Sequence, residues 1–318
     1  MDLINKKILV TGASGFIGST LVEKLIKKYD YVIGLDNFNS FYSGKEDNLK
    51  NFKNNQNFEF IQGDILDLDL LKKIMKGVDI VFHLAAQPGV RFSLENPIIT
   101  NKINCDGTIN VLESAKFCNV KRVINASSSS VYGNAEYFPS DENHKLNPIS
   151  IYGVSKLAAE KYCSLYSKLH NLYVVSLRYH SVYGPKGRPD MAVFKWIDAL
   201  FNDKPITIYG DGNQTRDMTF VDDIVNGTIN SAEIENINGE IFNLASGKSV
   251  TMNHVLNKLI ELTQKNTTVV YEDFRIDDAK DTHGNIEKAK QYLNYNPETD
   301  IDVGLKITVD WYKRKFSS

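Results

Sequence analysis

Tyr152-Gly153-Val154-Ser155-Lys156 sets a phenol and an amine four residues apart, and on a helix that spacing puts both on one face. A free tyrosine titrates near ~10 and is a poor base at neutral pH. A close cation favours the phenolate; lowering the pKa by about 3 units takes roughly 4 kcal/mol of differential stabilisation. Upstream, Ser127-Ser128-Ser129-Ser130-Val131-Tyr132-Gly133 follows an apolar run. A hydroxyl at the carboxyl edge of a parallel sheet lies where ligands bind in α/β folds. Such a serine would hydrogen-bond a substrate oxygen and share its proton with Tyr152. Neither signal is specific alone, because Y-x-x-x-K pairs decorate many helices and serines cap many turns.

A third element supplies a second cation. Gly12-Ala13-Ser14-Gly15-Phe16-Ile17-Gly18 has the spacing G-x-x-G-x-x-G. Glycine lets the chain turn tightly and lets a pyrophosphate approach a helix N-terminus, where free N–H groups favour an anion. Asp36 closes the next apolar run, where a carboxylate would accept ribose hydroxyls. No arginine adjoins it to receive a 2′-phosphate, so NAD is expected rather than NADP. Oxidised nicotinamide would then add its charge to that of Lys156. A G-x-x-x-x-G-K-[ST] loop is absent, which leaves an ATPase without an anchor.

These groups need elements to hold them. Lys7–Thr11, Tyr31–Asp36, Phe58–Gln62, Asp79–Leu84, Arg122–Ser127 and Tyr173–Leu177 read as buried strands with helical stretches between them. Continuous apolar strands alternating with helices imply a parallel sheet covered on both faces. The expected fold is α/β, a Rossmann doubly wound sheet over residues 1–180, with some later segments returning to it. Beyond residue 180 glycine and proline become frequent, and a smaller mixed α/β substrate-binding domain is expected over 181–318, ending in a helix near Asp302–Phe316. The Asn- and Lys-rich segment Phe38–Asn57 reads as an exposed loop with a short helix.

Composition narrows the classes. The chain has 318 residues, 42% hydrophobic and 24% charged, with net charge −2. That excludes a wholly disordered or collagenous chain and gives no basic footprint for nucleic acid or membrane. Three cysteines, Cys105, Cys118 and Cys163, lack C-x-x-C spacing. Neither a disulfide framework nor a zinc site is expected, and the cytoplasm is the expected compartment. His83, His180 and His283 lack zinc spacing, and His83 is expected to be a satisfied core residue. Met1–Lys7 is expected to enter the first strand without a leader, and no apolar run is long enough to span a membrane.

Together, Gly12/Gly15/Gly18, Asp36, Ser127–Gly133 and Tyr152/Lys156 resemble the extended short-chain dehydrogenase/reductase family, in its NAD-dependent epimerase/dehydratase branch. The resemblance runs nearly the whole chain. It includes Asp64-Ile65, His83-Leu84-Ala85-Ala86, Asn104–Thr108 and Arg216–Asp223. It implies cofactor contacts at Gly12, Gly15, Phe16, Ile17 and Gly18, with Asp36 and Asn37 beyond the second strand. Asp64 and Ile65 would lie by the adenine. Leu84, Ala85, Ala86, Asn104, Tyr152, Lys156 and Tyr179 complete that set. It implies Ser128 as the catalytic hydroxyl, Ser129 as its helper, Tyr152 as base and Lys156 as its partner. The uridine diphosphate contacts fall on Arg216 and Arg275.

Chemistry within the branch follows from what adjoins the catalytic serine. The Asp-Glu pair of 4,6-dehydratases and the glutamate of decarboxylases are replaced by Ser129 and Ser130. Oxidation at C4 followed by return of the hydride to the other face, 4-epimerisation, is what remains. Gln87-Pro88-Gly89-Val90-Arg91 and Tyr183–Ala192 are similar to stretches of UDP-glucuronate 4-epimerases. That similarity implies substrate contacts at Gln87 and Arg91, and a carboxylate anchor at Ser181 and Arg188. Departures exist: Pro88 for alanine, Ser181 for threonine, and Tyr179-His180 for a Phe-Phe pair. Ile208–Arg216 is closer to epimerases of neutral UDP-hexoses or UDP-N-acetylhexosamines, and Thr282 is small near a position that gates N-acetyl groups. UDP-glucose or UDP-N-acetylglucosamine therefore stands as the alternative substrate, and a non-enzymatic NAD-sensing protein as the alternative class. The resemblance also implies a homodimer, paired through helices near Thr100–Cys118 and Ile151–His170.

Overall fold

The computed structural model describes residues 6–316, so the expectation for Met1–Asn5 lies outside the described residues. Seven parallel strands form the central sheet. They are β1 (Lys7–Thr11), β2 (Tyr31–Asp36), β3 (Phe58–Gln62), β4 (Ile80–His83), β5 (Arg122–Ser128), β6 (Val174–Tyr179) and, after four short strands, β11 (Ile241–Leu244). Their order is β11-β6-β5-β4-β1-β2-β3, which is doubly wound about β1 and β4. The six expected strands appear within a residue or two of their expected bounds.

Alternation along each strand builds two cores. Ile8, Val10, Phe82 and Ile124 face one side, where α1 (Phe16–Leu25) packs. Leu9, Val81 and Val123 face the other, against α2 (Leu68–Ile74). That second face also carries α3 (Val90–Glu95), α4 (Pro97–Asn101), α5 (Gly107–Phe117) and α6 (Ile151–His170). α6 starts where Ser150 Oγ accepts the N–H of Gly153 at 3.0 Å and stops at Asn171 in a left-handed conformation. The helix expected over Thr100–Cys118 runs on from α4 into α5 through a π-helical turn at Lys102–Asp106. That widened turn aims Asn104 at α6, where its amide donates to Ser155 Oγ at 2.9 Å.

The remaining chain serves two places. α8 (Val221–Glu233) and α10 (Glu287–Leu293) pack on the first face of the sheet, and β11 extends its edge beside β6. A separate core gathers α7 (Ala192–Phe201), β8 (Ile206–Tyr209), α9 (Met252–Thr263) and α11 (Ile301–Phe316) around Trp196, Leu200 and Leu305. Short pairs border it: β7 (Ser181–Tyr183) with β10 (Met218–Phe220), β9 (Thr215–Arg216) with β12 (Val250–Thr251), and β8 with β13 (Val269–Glu272). Buried Asp217 ties this region to the sheet, accepting Ser246 N–H at 2.8 Å and Gly284 N–H at 3.1 Å.

One expectation is corrected. The segment 38–57 contains a single 3-10 turn, Glu46–Leu49, and is not simply exposed. Lys45, Asn48, Leu49 and Phe52 are buried, and Asn48 donates to the Ser14 carbonyl at 3.0 Å. The abundant Asn and Lys hide four inward-facing residues that fold the segment over the glycine loop. No helix among the described residues is long and apolar enough to cross a membrane.

Candidate active site

Two cavities gather most of the expected site residues. The narrower, of about 180 Å³, opens where β1 meets β4 in the strand order. Its floor is the glycine loop. Gly12 has φ +72°, and a Cβ there would stand 2.8 Å from the Ala85 nitrogen; one at Gly18 would stand 2.0 Å from the Gly12 carbonyl oxygen. α1 begins after Gly15 with no cap from the side chain of that residue, so its first turn opens toward the cavity, where the Phe16 backbone meets the Tyr42 hydroxyl. Asp36 is held by backbone: its carboxylate accepts Ser14 N–H at 3.1 Å and Phe38 N–H at 2.9 Å. Asn37 donates to Asp64 at 2.8 Å, fixing the next two polar groups of the rim.

Every expected cofactor residue except Asn104 lines this cavity. Asn104 stands behind it, its side-chain oxygen accepting Gln87 N–H at 2.7 Å and its amide donating to the Gln87 carbonyl at 3.1 Å. Tyr179 is locked by a 2.8 Å bond between its hydroxyl and that of Thr228. The cavity also takes Phe41, Tyr42 and Lys45 from the misread segment 38–57. Burial pushes the Tyr42 phenol up to about 12, so it stays protonated. No local motif marks these three; their apolar neighbours Leu49 and Phe52 were the available signal.

Tyr152 and Lys156 enter the same cavity from the first turns of α6. Burial raises the Tyr152 pKa, while the Arg188 guanidinium and a hydrogen bond with Ser128 pull it down. Burial also lowers the Lys156 ammonium to about 8, which leaves it charged at neutral pH. The four serines that end β5 and open the turn after it divide their work. Ser127 donates to buried Glu160 at 2.9 Å, and Glu160 in turn holds Arg178 through two bonds of 2.6 and 3.0 Å. Ser128 donates to Ser130 at 3.1 Å and remains the hydroxyl that meets Tyr152. Ser129 opens the 3-10 turn that follows; Ser127 lines the narrow cavity, whereas Ser128 and Ser129 line neither.

The larger cavity, of about 630 Å³, is lined by Arg91, Ser181, Arg216 and Arg275. That volume suits a small-molecule ligand. Tyr209 stands between two of these arginines, with Arg91 4.5 Å and Arg275 5.6 Å from its ring centre. Arg216 pairs with Asp278 at 2.9 Å, and Arg275 grips Asp277 through bonds of 3.0 and 2.9 Å. Arg188 lines the narrow cavity rather than this one. Gln87 is buried with its amide turned to the Pro88 carbonyl at 3.2 Å, and lines neither.

His83 is a closed core residue: its ring nitrogens meet Thr11 at 2.8 Å and Thr108 at 3.0 Å. Among the described residues no group of three or more His, Cys, Asp or Glu is gathered to hold a metal ion.

The profile of the NAD dependent epimerase/dehydratase family matches residues 8–245. A UDP-glucuronate 4-epimerase of Thermodesulfobacterium geofontis is 42% identical over 311 residues, spanning 96% of this chain and 95% of that protein. The crystal structure of a Bacillus cereus UDP-glucuronic acid 4-epimerase, with UDP-glucuronic acid and NAD, superposes with a TM-score of 0.92 at 38% identity, over 98% of this chain and 100% of the other. A UDP-N-acetylglucosamine 4-epimerase from Methanobrevibacter ruminantium M1, in complex with UDP-N-acetylmuramic acid, superposes with a TM-score of 0.91 at 35% identity, over 98% and 99%.

Proposed function

The chain belongs to the NAD-dependent epimerase/dehydratase family, and from that premise we propose that it inverts C4 of a UDP-sugar, turning UDP-glucuronate into UDP-galacturonate with NAD as cofactor. One observation carries the reading: a single cavity holds the glycine loop and Asp36 together with Tyr152, Lys156 and Arg188. The close approaches at Gly12 and Gly18 form a cradle that any side chain would fill, and it fits a dinucleotide. Gly12, Gly15, Phe16, Ile17 and Gly18 would hold the pyrophosphate, Asp36 and Asn37 the adenosine ribose, Asp64 and Ile65 the adenine. Lys156 would hold the nicotinamide ribose, with Leu84, Ala85, Ala86 and Tyr179 along the same wall. NAD held there would supply the acceptor for the C4 hydride and the donor for its return.

The chain's own groups do the rest. Ser128 orients the C4 hydroxyl and Tyr152 takes its proton. The guanidinium of Arg188 and the hydrogen bond with Ser128 offset the burial that opposes the phenolate, and the charged ammonium of Lys156 four residues on would add to them. Arg216 and Arg275 hold the diphosphate, about which the 4-keto sugar turns to present its other face; Tyr152 then gives the proton back. Arg188 and Ser181 hold the C6 carboxylate, worth about 1.5–3 kcal/mol per charge-assisted bond. That grip also limits loss of CO₂ from the β-keto acid. UDP-glucose or UDP-N-acetylglucosamine remains a second reading, favoured by the pairing of Arg188 with Asp190, which leaves less free charge for a uronate.

The active unit is a homodimer working in the cytoplasm. Leu94, Ile98, Val154, Leu165 and Leu169 are exposed along α3, α4 and α6, an apolar face that a second copy would cover. Light scattering is expected to give twice the chain mass; a monomer at micromolar concentration overturns the dimer. Turnover is tested by NMR of the protein with NAD and each UDP-sugar in turn. UDP-galacturonate signals growing from UDP-glucuronate support the reading. No isomerised sugar from any of the three substrates sinks it and leaves NAD sensing.

A further inference from the structure

One ion pair joins the two cavities. Arg188 lines the narrow cavity with Tyr152, and Asp190, two residues on, lines the large one with Arg216 and Arg275. Arg188 Nε donates to Asp190 Oδ1 at 2.9 Å and Nη2 to Oδ2 at 2.8 Å. A nucleotide sugar with its diphosphate at Arg216 and its C4 at Tyr152 carries its hexose past this pair. The loop does not depend on the pair for its shape. Gly187 N–H donates to the Gly184 carbonyl and Met191 N–H to the Arg188 carbonyl, both at 3.1 Å, and Lys186 is anchored on Glu23 at 2.8 Å.

We propose that Asp190 is a specificity-determining positioning residue for the C6 substituent of the sugar, holding Arg188 in one orientation and cancelling part of its charge. The proposal rests on the nucleotide-sugar reading above. A guanidinium offers five N–H donors in a planar fork. Asp190 takes two of them along the Nε/Nη2 edge, so the Nη1 edge is left for a ligand. A uronate carboxylate brought there meets a cation already paired and, behind it, a like charge. A hydroxymethyl group meets no such penalty. Lys195 lies beside Asp190 with Arg91 next to it, and Lys45 lies beside Arg188 with Asp36 next to it. Arg188 holds the Asp190 carboxyl below its usual range against the pull of burial, so Asp190 is an anion at working pH. The aspartate therefore tempers the preference for a charged C6 and keeps neutral hexoses admissible.

Asp190→Asn keeps the shape and one acceptor oxygen while removing the charge. Calorimetry on the NAD-loaded protein would give Kd for UDP-glucuronate, UDP-glucose and UDP. The expected result is a shift of the Kd ratio toward UDP-glucuronate by about fivefold or more, with UDP and UDP-glucose within about twofold of wild type. Asp190→Glu, which restores the charge, is expected to keep the wild-type ratio within about twofold. An unchanged ratio in Asp190→Asn, or a shift toward UDP-glucose, overturns the proposal. If UDP binding itself is lost, Asp190→Ser is measured in the same way and judged by the same ratio. Because binding is the readout, a protein that binds these sugars without epimerising them fails the functional reading and still decides the role of Asp190.

Discussion

Around Asp36 the polar contacts run from side chain to backbone, and the loop, the carboxylate and the start of α1 are fixed before any ligand arrives. Around Arg275 and Arg188 they run from side chain to side chain, each arginine held by an aspartate two residues away, and Arg216 adds Asp278 on a facing loop to the Thr215 and Lys280 carbonyls. The first arrangement is a mould, in which backbone N–H groups and missing side chains shape the space. The second is a set of charges whose partners can be exchanged for those of a ligand. A defect in the mould should strike every substrate alike, whereas a defect among the exchangeable pairs should select between substrates.

The largest expected effect tests the common side. Tyr152→Phe removes the proton acceptor and leaves the phenyl packing in place. Loss of a general base costs about 10²–10⁴-fold in rate, and the loss should be equal for UDP-glucuronate and UDP-glucose, with NAD still bound. Rates from NMR time courses check it. A variant keeping more than about a third of the wild-type kcat would show that another group is the base. A loss confined to one sugar would erase the contrast between the two regions.

Arg188→Ala tests the exchangeable side. Losing a charged partner should weaken UDP-glucuronate turnover by about 2–4 kcal/mol in kcat/KM and change UDP-glucose much less. The comparison is a difference between two substrates on one protein, so folding defects cancel. Equal loss for both would make Arg188 a diphosphate contact or a structural residue. Its position on the narrow cavity, away from Arg216 and Arg275, argues against the diphosphate.

The same contrast explains what could be read before the fold was known. Glycine spacing, the strand that precedes it and the carboxylate that follows it are local, so the mould is legible in consecutive residues. The parallel strands were legible because burial on both faces leaves long apolar runs. The segment 38–57 was not, because Lys45 and Asn48 are buried by what they bond and not by their type. Tyr209 owes its place to Arg91 and Arg275, more than 60 residues away on either side, and Asp190 shows its partner only in space. Long-range charge pairing leaves no periodic trace.

The smallest effect tests whether the mould is rigid in its own right. His83 ends β4 beneath the cofactor cavity, with both ring nitrogens closed by Thr11 and Thr108, and burial with the nearby Lys156 charge pushes its pKa down to about 3. An unfolded histidine titrates near ~6.5. Between those values the unfolded chain binds a proton that the folded chain refuses, so stability must fall as pH falls. The loss starts below pH ~6.5, approaches about 1.4 kcal/mol per unit, and amounts to about 2 kcal/mol between pH 7 and 5. His83→Gln has no such proton to bind and keeps a donor and an acceptor for the two threonines. Urea midpoints at pH 7 and 5 should therefore drop less for the variant than for the wild type, by about 2 kcal/mol once multiplied by the slope. The carboxylates titrate in both proteins and cancel in that difference. Equal drops would mean that His83 accepts its proton in the folded state, with one threonine turning to accept, and that this part of the mould adjusts as the arginine pairs do.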